Sequence, residues 1–130
     1  MPGLIKRIDR LPRLRLCCRP PVAPSGVAAA AGGGSMEVQV TWDPLAASAS
    51  VGHYRVYRRK TAGQFYLLAV VTADALGTLV PGKLGIVDAP DYWPWPSGAD
   101  PSAERCYAVS AVSTAGVEGP MSAEACASPL

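Results

Sequence analysis

Cys106-Tyr107-Ala108-Val109-Ser110-Ala111-Val112-Ser113, then Thr114-Ala115-Gly116-Val117-Glu118-Gly119, then Met121 to Ala127, is the stretch that decides the fold. A Val-rich run, a Gly-containing turn and a returning run read as a β-hairpin. Folded about Gly116, it sets Cys106 opposite Cys126, each ten residues from the centre. Directly opposed residues on antiparallel strands lie roughly 4.5–5.5 Å apart at Cα, a separation that a disulfide spans. The reading predicts a Cys106–Cys126 disulfide that pins the register of the last two strands.

Working back from the hairpin, the same short, Val-rich runs recur between Gly and Pro. Val27 to Ala31 reads as a first strand, ended by the turn Gly32-Gly33-Gly34. Met36-Glu37-Val38-Gln39-Val40-Thr41-Trp42 alternates apolar and polar, so Met36, Val38, Val40 and Trp42 are expected on one buried face. Asp43-Pro44 closes it. Tyr54 to Arg58 alternates again, Thr61 to Gln64 is a turn, and Phe65 to Val71 is the strand that returns. Leu84 to Val87 is a short strand, and Ala89 to Glu104 is a long loop with four prolines. Strands at this spacing predict an all-β, seven-stranded antiparallel β-sandwich, with residues 1–19 as an N-terminal arm and 20–130 as the domain.

These residues carry a family resemblance. Ala23-Pro24-Ser25-Gly26-Val27 and Val38-Gln39-Val40-Thr41-Trp42-Asp43-Pro44 resemble the first two strands of a fibronectin type III domain, with its core tryptophan. Tyr54 to Arg58 resembles the third strand of that immunoglobulin-like fold, and Cys106 to Val112 through Ala115 to Gly119 its last hairpin. The resemblance runs from Pro21 to Pro129. It implies the linked cysteines of a bacterial extracellular subset, which join the final two strands. Two departures fall together: Arg105 stands where the family often has a corner tyrosine, and the loop before it is longer and more aromatic.

Charge divides the chain. Residues 1–19 hold six basic side chains against Asp9, a net of +5, while residues 20–130 hold six basic and nine acidic, a net of −3. Leu11 to Cys18 is interrupted by Pro12 and two arginines, so no secretory signal is recognisable, and no run approaches a membrane span of ~18 apolar residues. In the arm, Leu4, Ile5, Ile8 and Leu11 line one face of a short helix until Pro12 stops it. Arg13-Leu14-Arg15-Leu16 then alternates with period two, which suits a strand laid on another protein's sheet edge. Protein docking through Leu4, Ile8, Arg10, Leu11, Arg13, Leu14, Arg15 and Leu16 is the leading reading, with disorder, and a membrane or nucleic acid, as the others. The arm has no aromatic residue for base stacking, which speaks against nucleic acid. Cys17-Cys18 reads as free thiols or an intermolecular disulfide.

Catalytic chemistry finds few materials. His53 is the single histidine and reads as a surface residue before a strand; Asp88, near Asp91, follows a strand and reads as a turn residue. No nucleophile dyad or carboxylate pair assembles from these, and one His with scattered Cys does not outline a metal site. Gly32-Gly33-Gly34 lacks the Lys-Ser/Thr of a phosphate loop. Tyr92-Trp93-Pro94-Trp95-Pro96 has two readings: rings folded over the end of the sandwich, or Tyr92, Trp93 and Trp95 as a platform for a sugar or protein surface. The sequence is thus read as a non-enzymatic module without cofactor, extracellular or on a virion surface such as that of a tailed phage. Its arm would join protein partners in a larger assembly. The alternative is a secreted carbohydrate-binding accessory domain using the 92–96 loop.

Overall fold

Alternation of β-branched and polar side chains produces most of the architecture. The computed structural model describes residues 19–34, 36–46, 49–60, 63–75, 79–89 and 103–129. It contains seven strands: β1 (Ala28–Ala31), β2 (Val38–Trp42), β3 (Val51–Lys60), β4 (Tyr66–Thr72), β5 (Leu84–Asp88), β6 (Arg105–Ser113) and β7 (Ala125–Ala127). One antiparallel sheet has the order β1-β2-β5 and the other β4-β3-β6-β7. The expected all-β sandwich is the observed fold, and no described helix is long and apolar enough to cross a membrane.

The inward faces meet in one core. Val38, Val40 and Trp42 of β2 and Leu84 and Ile86 of β5 come from one sheet. Tyr54 and Val56 of β3 and Tyr107, Val109 and Ala111 of β6 come from the other. Register places these in rows, with Val40 beside Ile86, and Val56 beside Val109. Trp42 is fully buried and meets Tyr54 across the sandwich with ring centroids 5.7 Å apart. Such an inclined aromatic pair is favoured by the ring quadrupoles.

β6 is buried along its whole length. It is an inner strand, and its outward residues Cys106, Ala108 and Ser110 are small enough to be roofed by longer side chains from β3 and the returning arm. Tyr57 and Glu118 meet over Ser110 in this way.

Three sequence expectations change. Met36 lies outside β2, with φ of 60°, so it ends the glycine turn and the buried alternation starts at Val38. β3 begins at Val51, which puts His53 inside the strand. The return arm is strand only over Ala125–Ala127, because the register slips on the way: Val112 faces Glu118, whereas Cys106 faces Cys126. Pro120, which has no N–H to donate, interrupts the ladder, and the Val109 N–H turns to the Ser122 hydroxyl at 2.9 Å. Gly116 carries the turn with φ of 87°, a conformation that costs glycine little.

Candidate functional site

Period-two register decides which polar residues enter the core. Arg58 is in phase with Tyr54 and Val56, Asp88 with Leu84 and Ile86, and Arg105 with Tyr107 and Val109. All four polar side chains therefore point between the sheets, where Arg58, Asp88, Arg105 and Tyr107 are each at most 2% exposed. Arg58 Nη1 donates to Asp88 Oδ1 at 2.6 Å and its Nε to the Tyr66 hydroxyl at 2.7 Å. Arg105 Nη1 donates to the Asp88 carbonyl at 3.0 Å, and its Nη2 to the Met36 carbonyl at 2.7 Å. The Tyr107 hydroxyl donates to Asp88 Oδ2 at 2.5 Å. Burial, then the Asp88 charge and hydrogen bond, push the Tyr107 phenol far above its ordinary range, so it stays protonated and donating.

This cluster ties β3, β5 and β6 across the two sheets. The expectation that Asp88 is a turn residue is corrected: it is the buried end of β5. Arg105 anchors the start of β6 through two backbone carbonyls, those of Asp88 and Met36. Ala89 and Ala103, the described residues on either side of positions 90–102, thus lie next in sequence to this ion-paired cluster or to its neighbours.

At the opposite end of β6 the chain enters the fold. A Cβ on Gly119 would lie 2.0 Å from the Pro21 carbonyl, so the segment leading from Arg19 runs hard against the returning arm. Gly119 in turn donates to the Ala111 carbonyl at 2.9 Å. From Arg105 to Ala111 the extended strand covers about 20 Å. The described chain around Pro21 and the described residues Asp88 and Arg105 therefore lie toward opposite ends of the sandwich.

The same end as Pro21 also has an open hollow of about 660 Å³, with Leu45, Val51, Tyr54, Asp74 and Thr114 among its lining residues. The Leu45 N–H donates to the Tyr54 hydroxyl at 2.8 Å, and burial raises that phenol above its ordinary value. On the outer face of the four-stranded sheet, Glu118 accepts from Arg55 at 2.9 Å, from Ser110 at 2.5 Å and from Tyr57. Burial works to raise Glu118, but the hydrogen bonds from Ser110 and Tyr57 and the Arg55 charge outweigh it and hold the carboxyl below its ordinary value.

Of the residues singled out from sequence, Cys106 and Cys126 form the expected cross-strand disulfide, with Cα atoms 4.0 Å apart. Cys106 is buried and Cys126 exposed. The arm residues Leu4, Ile8, Arg10, Leu11, Arg13, Leu14, Arg15 and Leu16 lie outside the described residues. So do Cys17, Cys18, Tyr92, Trp93 and Trp95. The ion-paired cluster was missed, although Arg58 and Asp88 falling in phase with buried apolar residues was the signal for it.

No family model and no curated protein matches the chain. Solved structures do. A β-1,2-glucanase from Parabacteroides distasonis matches at TM-score 0.52 and 17% identity, over 85% of this chain and 12% of that one. Pectate lyase Pel3 from Pectobacterium carotovorum matches at TM-score 0.51 and 17% identity, over 80% of this chain and 27% of that one. The chain spans well under a third of either protein, and at this identity the likeness is one of fold.

Proposed function

We propose that the chain is a non-enzymatic structural and interaction module. In this reading it is a fibronectin type III-like sandwich held in a larger extracellular or virion assembly by its N-terminal arm. The observation that supports it most is the separation of ends. The basic, leucine-bearing arm enters beside Pro21 and Gly119, while the aromatic segment 90–102 is rooted about 20 Å away at Asp88 and Arg105. A module anchored at one end, with the residues that flank its aromatic segment at the other, suits display from a particle such as a tailed phage. The disulfide is compatible with an oxidising location.

A second reading has its own support. The two matched proteins are named for polysaccharide substrates, a glucan and pectate, and this chain corresponds to a minor part of each. A carbohydrate-binding accessory role through Tyr92, Trp93 and Trp95 fits that context. Co-sedimentation of the protein with a particle from its source, set against retention on insoluble polysaccharide, separates the two. Retention that disappears in the Trp93→Ala/Trp95→Ala variant, with no particle association, would replace the first reading by the second.

A further inference from the structure

Ligand atoms of Glu104, Cys106 and Cys126 lie within 4.8 Å of one another: the disulfide accounts for the two sulfurs, and Glu104 adds a carboxylate beside them. We infer that, once the Cys106–Cys126 disulfide is reduced, these three residues form a site for a thiophilic divalent cation, zinc above all. The site is closed in the oxidised protein, where both sulfurs are bonded to each other.

Three features of the structure support this. The two cysteines are opposed on neighbouring strands with Cα atoms 4.0 Å apart, so both sulfurs remain on one face after the bond opens. Tetrahedral zinc with Zn–S distances of ~2.3 Å needs its two sulfurs about 3.8 Å apart, a separation that rotation of the exposed Cys126 side chain supplies. Glu104 is exposed at the foot of β6 and brings a carboxylate to the same spot. A second carboxylate, Glu124, stands 3.5 Å from Cys126 Sγ and is ion-paired with Arg59 at 2.5 Å. The fourth tetrahedral position then falls to water.

The chemistry balances with a dithiol reductant. It transfers two electrons and two protons to the disulfide, breaking the S–S bond into two thiols and leaving as its own cyclic disulfide. Zinc then displaces the two thiol protons to solvent and binds both thiolates, so its affinity rises with pH. The exposed Cys126 sulfur is where an incoming thiolate has access. The arrangement would make the last strand disulfide-closed in an oxidising location and metal-closed in a reducing one.

The test uses the full chain with Cys17→Ser and Cys18→Ser, so that only the described pair remains. Zinc is titrated into oxidised and dithiol-reduced protein by calorimetry, and cobalt is used as a spectroscopic stand-in for tetrahedral thiolate ligation. The inference expects one ion per reduced chain, none for the oxidised chain, and a thiolate-to-cobalt band that Cys126→Ser abolishes. Glu104→Gln should weaken binding about tenfold or more, since even outer support of a ligand is worth that much. Melting guards against capture by unfolded chain: zinc must raise the melting temperature of the reduced protein, because only a ligand of the native state stabilises it. Substoichiometric binding by the reduced protein, a melting temperature lowered by zinc, or an unchanged affinity in Glu104→Gln would each overturn the assignment.

Discussion

Replacing Asp88 by Asn keeps the side chain's volume and removes the charge on which Arg58, Arg105 and Tyr107 converge. The carboxylate is fully buried and Arg58 meets it at 2.6 Å with its own side chain 2% exposed. Breaking a buried ion pair from one side costs about 3–5 kcal/mol, because the remaining charge stays desolvated. Against a domain stability of about 5–15 kcal/mol, that is a large fraction. At about 4 °C per kcal/mol for a domain of this size, the melting temperature should fall by roughly 12–20 °C. The control is Asp43→Asn, which breaks the Lys83–Asp43 pair at 2.8 Å, where the two side chains are 33% and 47% exposed. An exposed pair of that kind is worth about 0–1 kcal/mol. Urea unfolding followed by tryptophan fluorescence should show the Asp88→Asn midpoint far below that of Asp43→Asn with the slope unchanged. If the two variants unfold together, the cluster does not hold the sheets and the reasoning fails.

Trp42→Ala removes the largest buried ring and should cost about 3–5 kcal/mol, read from the same urea curves; a shift below ~1 kcal/mol would mean the core is assigned wrongly. Tyr107 governs the alkaline limb: its folded-state pKa is raised, so its contribution is whole below pH ~10 and lost as pH rises further, when only the unfolded chain releases the proton. Stability measured from pH 9 to 11.5 should decline with an added slope of up to ~1.4 kcal/mol per pH unit above pH 10, and Tyr107→Phe should flatten that limb while costing about 1–3 kcal/mol at neutral pH. Replacing Cys106 and Cys126 together by Ala should cost about 3 kcal/mol by the chain-entropy estimate, checked by calorimetry against the oxidised parent.

How much of this was legible beforehand follows from periodicity. Strict alternation in Val38–Trp42, short Val-rich runs between Gly and Pro, and the symmetry about Gly116 were enough for the strands, the core tryptophan and the disulfide. Polar residues at inward positions were not, because Arg58 and Asp88 look like surface and turn residues until the partner across the sheet is known. Their phase with the buried apolar residues points them inward, but the pairing that satisfies them joins residues thirty positions apart. The slip in the last hairpin was hidden for a similar reason. Proline at 120 signals a break, but only the Ser122 hydroxyl taking the Val109 N–H says how the ladder resumes. The separation of the arm's entry from the root of the aromatic segment also needed the topology, since both flank strands that lie in the same sandwich.

The measurement that bears most directly on the proposed role is co-sedimentation of three forms of the protein with its source particle. These are the parent, the chain lacking residues 1–19, and a full chain with Leu4, Ile8, Leu11, Leu14 and Leu16 replaced by Ser and every arginine kept. Every residue of the described core lies beyond position 19, so both altered forms should remain folded, cooperatively melting monomers. The account predicts that the parent sediments with the particle and that the serine variant is lost from it as completely as the truncated chain. A serine variant that sediments like the parent, with association lost only when the arginines are removed, would make the target a polyanion and contradict protein docking through the arm.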